Sequence, residues 1–84
     1  MTLFVTGLMN DMDDTDLREM FELYGDVKSA KVVMDRNTGK SRGFGFVDMP
    51  NDADAITVIG LLNGKKLGGK LMSVQKSDTP THSR

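Results

Sequence analysis

The stretch of sequence that decides the fold is Arg42-Gly43-Phe44-Gly45-Phe46-Val47-Asp48-Met49. Successive side chains of a β-strand point to opposite faces, so Arg42, Phe44 and Phe46 share one face and smaller residues share the other. A face of small residues lets a helix pack closely, whereas exposed rings beside a positive charge suit unpaired nucleobases and their phosphates. The alternation fits a second protein layer over the two rings equally well, so it does not decide between these interpretations.

The octapeptide and a shorter segment near the N-terminus resemble the two motifs of one protein family. The octapeptide fits seven of the eight positions of the long ribonucleoprotein motif of the RNA recognition motif (RRM) family. The exception is Met49, which stands where that pattern has Phe or Tyr. Leu3-Phe4-Val5-Thr6-Gly7-Leu8 is similar to the family's short motif, whose second position carries a stacking aromatic residue. The resemblance covers about residues 2–77.

Hydrophobic periodicity predicts two helices. The first begins at the N-cap Asp13, carries acidic residues in its first turn and ends at Gly25. The second begins at Asn51 or Asp52 and ends at Gly64. Each helix has an apolar stripe at helical spacing, formed by Leu17, Met20, Phe21 and Tyr24 in the first and by Ala55, Val58, Ile59 and Leu62 in the second.

Alternation and β-forming residues predict four strands, over residues 2–6, 27–34, 42–49 and 71–76. The resulting order, βαββαβ, is the split βαβ arrangement of ferredoxin-like α+β domains, with a four-stranded antiparallel sheet and two helices on one face. Right-handed crossovers place the first and third strands side by side, which brings Phe4 next to Phe44 and Phe46 on the open face. We predict an RRM-type domain over residues 1–77 and a flexible tail over residues 78–84.

The composition limits the classes of protein that the chain can represent. It has 84 residues and no cysteine, which fits one small domain without disulfides or thiolate metal sites. Neither a membrane-spanning apolar run nor the features of a signal peptide are present, so we expect an intracellular, cytoplasmic protein without membrane contact.

The net charge is −1, but its distribution is uneven. Residues 11–26 hold seven acidic residues and one arginine, residues 27–42 hold five basic residues and one acid, and residues 65–76 hold four lysines. A local basic surface can steer an anionic partner even when the total charge is near zero. The same charges also fit ordinary solvated faces.

These features predict a single-stranded RNA-binding module that acts as a post-transcriptional regulator or RNA chaperone, with single-stranded DNA as a further possible partner. We expect a monomer, with a homodimer left open. The resemblance implies that Phe4 and Phe46 each stack a base and that Phe44 packs against ribose or between nucleotides. The candidate polar contacts are Arg42 to phosphate, Lys31 and Lys76 as further basic contacts, and Gln75 to a base edge.

Two other classes of function compete with RNA binding. A protein-interaction module would use the helical face, on which Ile56 and Leu61 lie off the apolar stripe. An enzyme is a weaker alternative: acylphosphatases share the βαββαβ order but need an arginine in the first loop, and residues 6–13 contain none. The single histidine, His82, lies in the predicted tail, and the acids of the first helix are better read as partners of the helix dipole than as metal ligands. We therefore predict no catalytic residues, metal or cofactor.

Overall fold

The computed structural model describes residues 1–77 of the chain. The predicted tail, residues 78–84, lies outside the described part. The elements in chain order are β1 (Thr2–Thr6), α1 (Asp14–Glu22), β2 (Ser29–Met34), β3 (Ser41–Asp48), α2 (Asp52–Leu62), β4 (Lys66–Leu67), β5 (Lys70–Leu71) and β6 (Ser73–Lys76). In this part of the chain no helix is long and apolar enough to span a membrane.

The main sheet has four strands in the spatial order β2-β3-β1-β6, and every neighbouring pair is antiparallel. The strands β1 and β3 lie at the centre, as the right-handed crossovers of the split βαβ arrangement require. The predicted ferredoxin-like fold, with both helices on one face of the sheet, is confirmed.

The core lies between this sheet and the two helices. Alternate strand residues such as Leu3, Val5 and Val47 are fully buried against Leu17 and Phe21 of α1. The helix α2 contributes Ala55, Val58 and Leu62. Met49, which replaces the family's aromatic residue, is also fully buried, because it has the inward parity of Val47. The predicted apolar stripes of both helices therefore face the sheet.

The capping residues that the sequence predicts begin both helices. The Asp13 carboxylate accepts from the Asp16 N–H at 2.9 Å, and the Asp16 carboxylate accepts from the Asp13 N–H at 3.2 Å. Asn51 accepts from the Asp54 N–H at 3.0 Å. Each cap supplies an acceptor for an N–H group that has no partner within the helix.

The predicted end of the first helix at Gly25 is wrong. The helix ends at Glu22 with Leu23 as its C-cap, and Gly25 lacks the positive φ of a terminating glycine. A side chain at Gly25 would instead overlap Asp54 of α2. The glycine therefore lets the segment after α1 approach Asp54 in the first turn of α2 closely, which a local pattern does not reveal.

The predicted last strand, residues 71–76, is also interrupted. The Met72 N–H donates to the Lys65 carbonyl at 2.8 Å, and the Met72 carbonyl accepts from the Gly64 N–H at 2.6 Å. These bonds hold Met72 against the loop after α2, so the strand pairing with β1 begins at Ser73. Leu71 belongs to the two-stranded ribbon β4-β5 and is 64% exposed, outside the ladder of the main sheet.

Candidate nucleic-acid interface

One cross-strand row runs across all four strands of the main sheet. Gln75 lies opposite Phe4, Phe4 lies opposite Phe46, and Phe46 lies opposite Lys31. Directly opposite residues in antiparallel strands have Cβ atoms about 4.5–5.5 Å apart and project on the same face. The row therefore places two rings between an amide and a cation, on the face without helices. We call this face, which carries Phe4, Phe44 and Phe46, the ring face.

The three rings of the ring face contact each other at an angle. The centroids of Phe4 and Phe46 are 5.2 Å apart with 43° between the ring planes, and those of Phe4 and Phe44 are 5.8 Å apart with 56°. These distances are typical of favourable aromatic pairs, and such contacts hold the rings in fixed relative orientations. All three side chains are half-buried. Because the planes are tilted, each ring offers its own surface, and a single flat base cannot cover all three.

A second row of the ring face carries hydroxyl groups that are not among the sequence-predicted contacts. Thr6 lies opposite both Phe44 and Ser73, so the three side chains share the ring face. Both hydroxyl-bearing residues are half-exposed, and within residues 1–77 neither hydroxyl makes a hydrogen bond to the protein. The parity of Thr6 with Phe4 is the signal that would have identified it.

Arg42 enters β3 through an irregularity that the sequence did not predict. Between the pairs Val32–Gly45 and Met34–Ser41 the register shifts, so β3 carries two extra residues. Gly43 lies in this segment with φ of +93°, and its N–H donates to the Ser41 hydroxyl at 3.0 Å. Such a bulge redirects the neighbouring side chains. Arg42 is exposed and makes no ion pair within the described residues.

The loop between β2 and β3 is an ordered turn held by the Asp35 side chain. The Asp35 carboxylate accepts from the Asn37 N–H at 2.8 Å and from the Thr38 N–H at 3.2 Å. These two bonds, helped by the positive charge of Arg42, lower the pKa of Asp35. Gly39, near the end of the turn, has a positive φ of +72°.

Lys76 does not share the ring face, contrary to the prediction that groups it with Lys31 and Arg42. It lies opposite Leu3, whose side chain is fully buried on the helix side of the sheet. Residues opposite each other project on the same face, so the Lys76 side chain leaves β6 on the helix side. The buried Val74, two residues earlier, has the same parity, and this alternation was the overlooked signal.

The helical face lacks a continuous apolar surface at the two residues that the alternative function requires. Ile56 and Leu61 are 60% and 53% exposed. They are five positions apart, and at about 100° per residue their directions differ by about 140° around the helix axis. In the described part of the chain no three acidic, histidine or cysteine side chains converge as a group that could hold a metal ion.

Comparisons with known proteins agree with this geometry. The chain matches the sequence pattern of the RNA recognition motif over residues 3–73. It is similar to the mitochondrial glycine-rich RNA-binding protein 2 of Arabidopsis thaliana, with 43% identity over 83 residues, 98% of this chain and 52% of that protein. The chain thus spans about half the length of this relative.

Two solved structures extend the likeness to the backbone. The crystal structure of RNA-binding protein PG1 has a TM-score of 0.88 and 35% identity, covering 98% of this chain and 99% of that one. The second RRM domain of the yeast poly(U)-binding protein has a TM-score of 0.78 and 32% identity, covering 96% of this chain and 98% of that one. The family pattern matches residues 3–73, and both ribonucleoprotein motifs lie on the central strands. The chain therefore belongs to the RNA recognition motif family.

Proposed function

We propose that the chain is a single-stranded RNA-binding module that stacks bases on Phe4, Phe44 and Phe46. The observation that carries the proposal is the row from Gln75 through Phe4 and Phe46 to Lys31, which is open to solvent on the ring face. Aromatic platforms beside positive charge bind unpaired bases because each base has a π-face and each nucleotide a phosphate.

The geometry supports a distinct role for each group. Phe4 and Phe46 each stack one base, since their planes are inclined by 43° to each other. Phe44, inclined by 56° to Phe4, packs against ribose or between nucleotides. The amide of Gln75 both donates and accepts, so it suits a base edge next to Phe4. Arg42 is the phosphate contact whose charge is unpaired among the described residues, and Lys31 is the second.

The names of the relatives support RNA as the ligand class. The Arabidopsis protein is named as RNA-binding, and the yeast protein is named as poly(U)-binding. A uridine-rich oligonucleotide is therefore the first probe to use. We propose that the chain acts as a post-transcriptional regulator or RNA chaperone and that it is intracellular. The Arabidopsis relative is named as mitochondrial, so a cytoplasmic location stays a prediction.

Family membership and the open ring face favour a binding module over an enzyme. A protein-interaction module that uses the helical face is the second candidate. The divergence of Ile56 and Leu61 around α2 argues against it, because a docked partner would need both on one surface.

Fluorescence anisotropy with a labelled uridine-rich single strand tests the proposal. With three stacking residues we expect a dissociation constant in the micromolar range, about −8 kcal/mol. The matching duplex should bind much more weakly, because its bases are already stacked on each other. Leu61→Ala is the control, since it removes an exposed apolar side chain from the opposite side of the domain. Equal affinity for duplex and single strand, or an effect of Leu61→Ala as large as that of Phe46→Ala, would overturn the proposal.

A further inference from the structure

The ammonium group of Lys31 is held at the edge of the sheet. The register pairs Lys31 with Phe46, so its side chain leaves β2 on the ring face. Its Nζ is nevertheless 3.6 Å from Oδ2 of Asp14, which lies in the first turn of α1 behind the sheet. The strand β2 is one of the two outer strands of the sheet. The side chain therefore reaches round the free edge of β2 to its partner.

Asp14 is the fixed member of this ion pair. Its other carboxylate oxygen, Oδ1, accepts from the backbone N–H of Val32 at 2.7 Å. The first turn of a helix also favours a negative charge. The Asp14 carboxylate thus accepts a hydrogen bond from an N–H group at the sheet edge and also pairs with the ammonium group of the neighbouring Lys31. The Lys31 side chain is 73% exposed, so a phosphate can reach it and compete.

The residues around the Lys31–Asp14 ion pair favour the ion pair over contact between Lys31 and RNA. A groove of about 620 Å³ beside the β2 edge is lined by Asp13 and Asp14 as well as by Lys31. The two acidic residues in this lining disfavour a phosphate that approaches from this side. A nucleic acid on the ring face is therefore not attracted beyond the edge of β2. Lys31 is the cation at the β2 end of the row.

We infer that Asp14 is a positioning residue that limits RNA affinity by competing with phosphate for Lys31. The inference rests on the proposed function and goes beyond it, since it assigns a role to a residue behind the sheet. When Asp14 loses its charge, the Lys31 ammonium is released to the ring face and its phosphate contact becomes stronger. Exposed ion pairs are weak, so the expected gain in affinity is about two- to fivefold.

The experiment compares Asp14→Asn with Asp11→Asn, each alone and combined with Lys31→Gln. Asparagine keeps an oxygen that accepts from the Val32 N–H, so the hydrogen bond at the edge of the sheet is preserved. Asp11 is exposed, makes no hydrogen bond or ion pair within residues 1–77, and controls for the general effect of removing one negative charge. Anisotropy titrations at several salt concentrations use a uridine-rich single strand.

We expect Asp14→Asn to bind more tightly than Asp11→Asn and to steepen the salt dependence by up to about 0.7 in slope, the value for one full phosphate contact, because release from Asp14 strengthens the contact of Lys31. Both differences should vanish in the Lys31→Gln background. Equal behaviour of the two asparagine variants, or a gain that persists without Lys31, would overturn the inference. Asp14→Ser, which also retains an oxygen acceptor, replaces the first variant if asparagine lowers the melting temperature.

The two proposals fail in different ways. If the unmodified chain does not bind single strands, or binds them equally well after Phe46→Ala, the proposed function fails. If the unmodified chain binds and depends on Phe46 while the asparagine variants are alike, the role of Asp14 alone fails.

Discussion

Phe4 and Phe46 lie directly opposite each other on the central strands β1 and β3, with ring centroids 5.2 Å apart. One belongs to the short ribonucleoprotein motif and the other to the long one, so two distant segments of sequence form a single aromatic platform. The pair is half-buried, whereas Phe21 on the helix side is fully buried. This contrast separates a phenylalanine that can meet a ligand from one that holds the fold together.

The contrast leads to a prediction about alanine substitutions. Phe44→Ala and Phe46→Ala should each weaken RNA binding by about 1–3 kcal/mol, because each removes a stacking surface. Their free energies of unfolding should fall by less than that of Phe21→Ala, for which we expect a loss of about 3–5 kcal/mol. Chemical denaturation beside anisotropy measures both quantities. If Phe46→Ala unfolds the domain and Phe21→Ala does not, the two faces of the sheet have been assigned the wrong way round.

Met49 offers a test of the helix side of the sheet. It is fully buried in the core cluster, so Met49→Leu changes shape inside the core at nearly constant volume. Such exchanges cost less than about 1.5 kcal/mol. We expect a small change in melting temperature and unchanged RNA affinity. A large loss of affinity in a folded variant would place Met49 on the binding surface instead.

Arg42 and Lys76 are both exposed cations, and the register places Lys76 on the helix side of the sheet. Single strands release counterions with a slope of about −0.7 per phosphate that is neutralised. Arg42→Ala should therefore reduce the magnitude of the salt slope by about 0.7 without changing the preferred sequence. Lys76→Ala should leave the slope unchanged, because its side chain leaves β6 on the helix side. Titrations at several salt concentrations would show the opposite ranking if our assignment of faces is wrong.

The turn between β2 and β3 should respond to pH through Asp35. Hydrogen bonds from the Asn37 and Thr38 N–H groups, with a smaller effect of Arg42, lower its pKa below the ordinary 3.8. A carboxyl whose pKa is lowered on folding stabilises the turn above its unfolded pKa and loses that effect as the pH falls through the folded value. Amide chemical shifts of Asn37 and Thr38 should thus stay constant from neutral pH to about pH 5 and move below pH 3.8. Asp35→Asn, which cannot titrate, should abolish that movement.

The substitution Gly60→Ala should make the domain more stable. It lies inside α2, and a Cβ at this position would meet no atom within 4 Å. Alanine in a helix interior is favoured over glycine by up to about 1 kcal/mol. Gly60→Ala should therefore raise the free energy of unfolding by about 0.5–1 kcal/mol and leave RNA binding unchanged. Gly43→Ala is the contrasting change, because φ of +93° is unfavourable for a residue with a side chain. A loss of stability for Gly60→Ala would contradict the packing described here.

Much of the fold follows from local features that sequence records directly. Asp13 and Asn51 cap the helices because their side chains satisfy N–H groups a few residues away. Strand alternation correctly separates Phe46 from Val47, and topology then brings Phe4 to the same platform. Periodicity, caps and one handedness rule suffice for these results.

The features that the sequence did not predict all depend on tertiary contacts. The two extra residues of β3 become visible only once Met34 pairs with Ser41. Gly25 is explained by its contact with α2, and the break at Met72 by hydrogen bonds to a loop. The pairing of Lys31 with Asp14 likewise joins a strand edge to a helix end. Lys76 is an exception to this dependence on tertiary contacts. Alternation from the inward Val74 predicts that its side chain leaves β6 on the helix side.

Chemical-shift mapping of the backbone amides during titration with a short uridine-rich single strand shows directly whether RNA binds on the ring face. We expect the largest changes along the row of Gln75, Phe4, Phe46 and Lys31 and at the neighbouring Thr6, with the exposed residues of α2 unaffected. Changes concentrated at Ile56 and Leu61 of α2, with that row unchanged, would contradict this expectation.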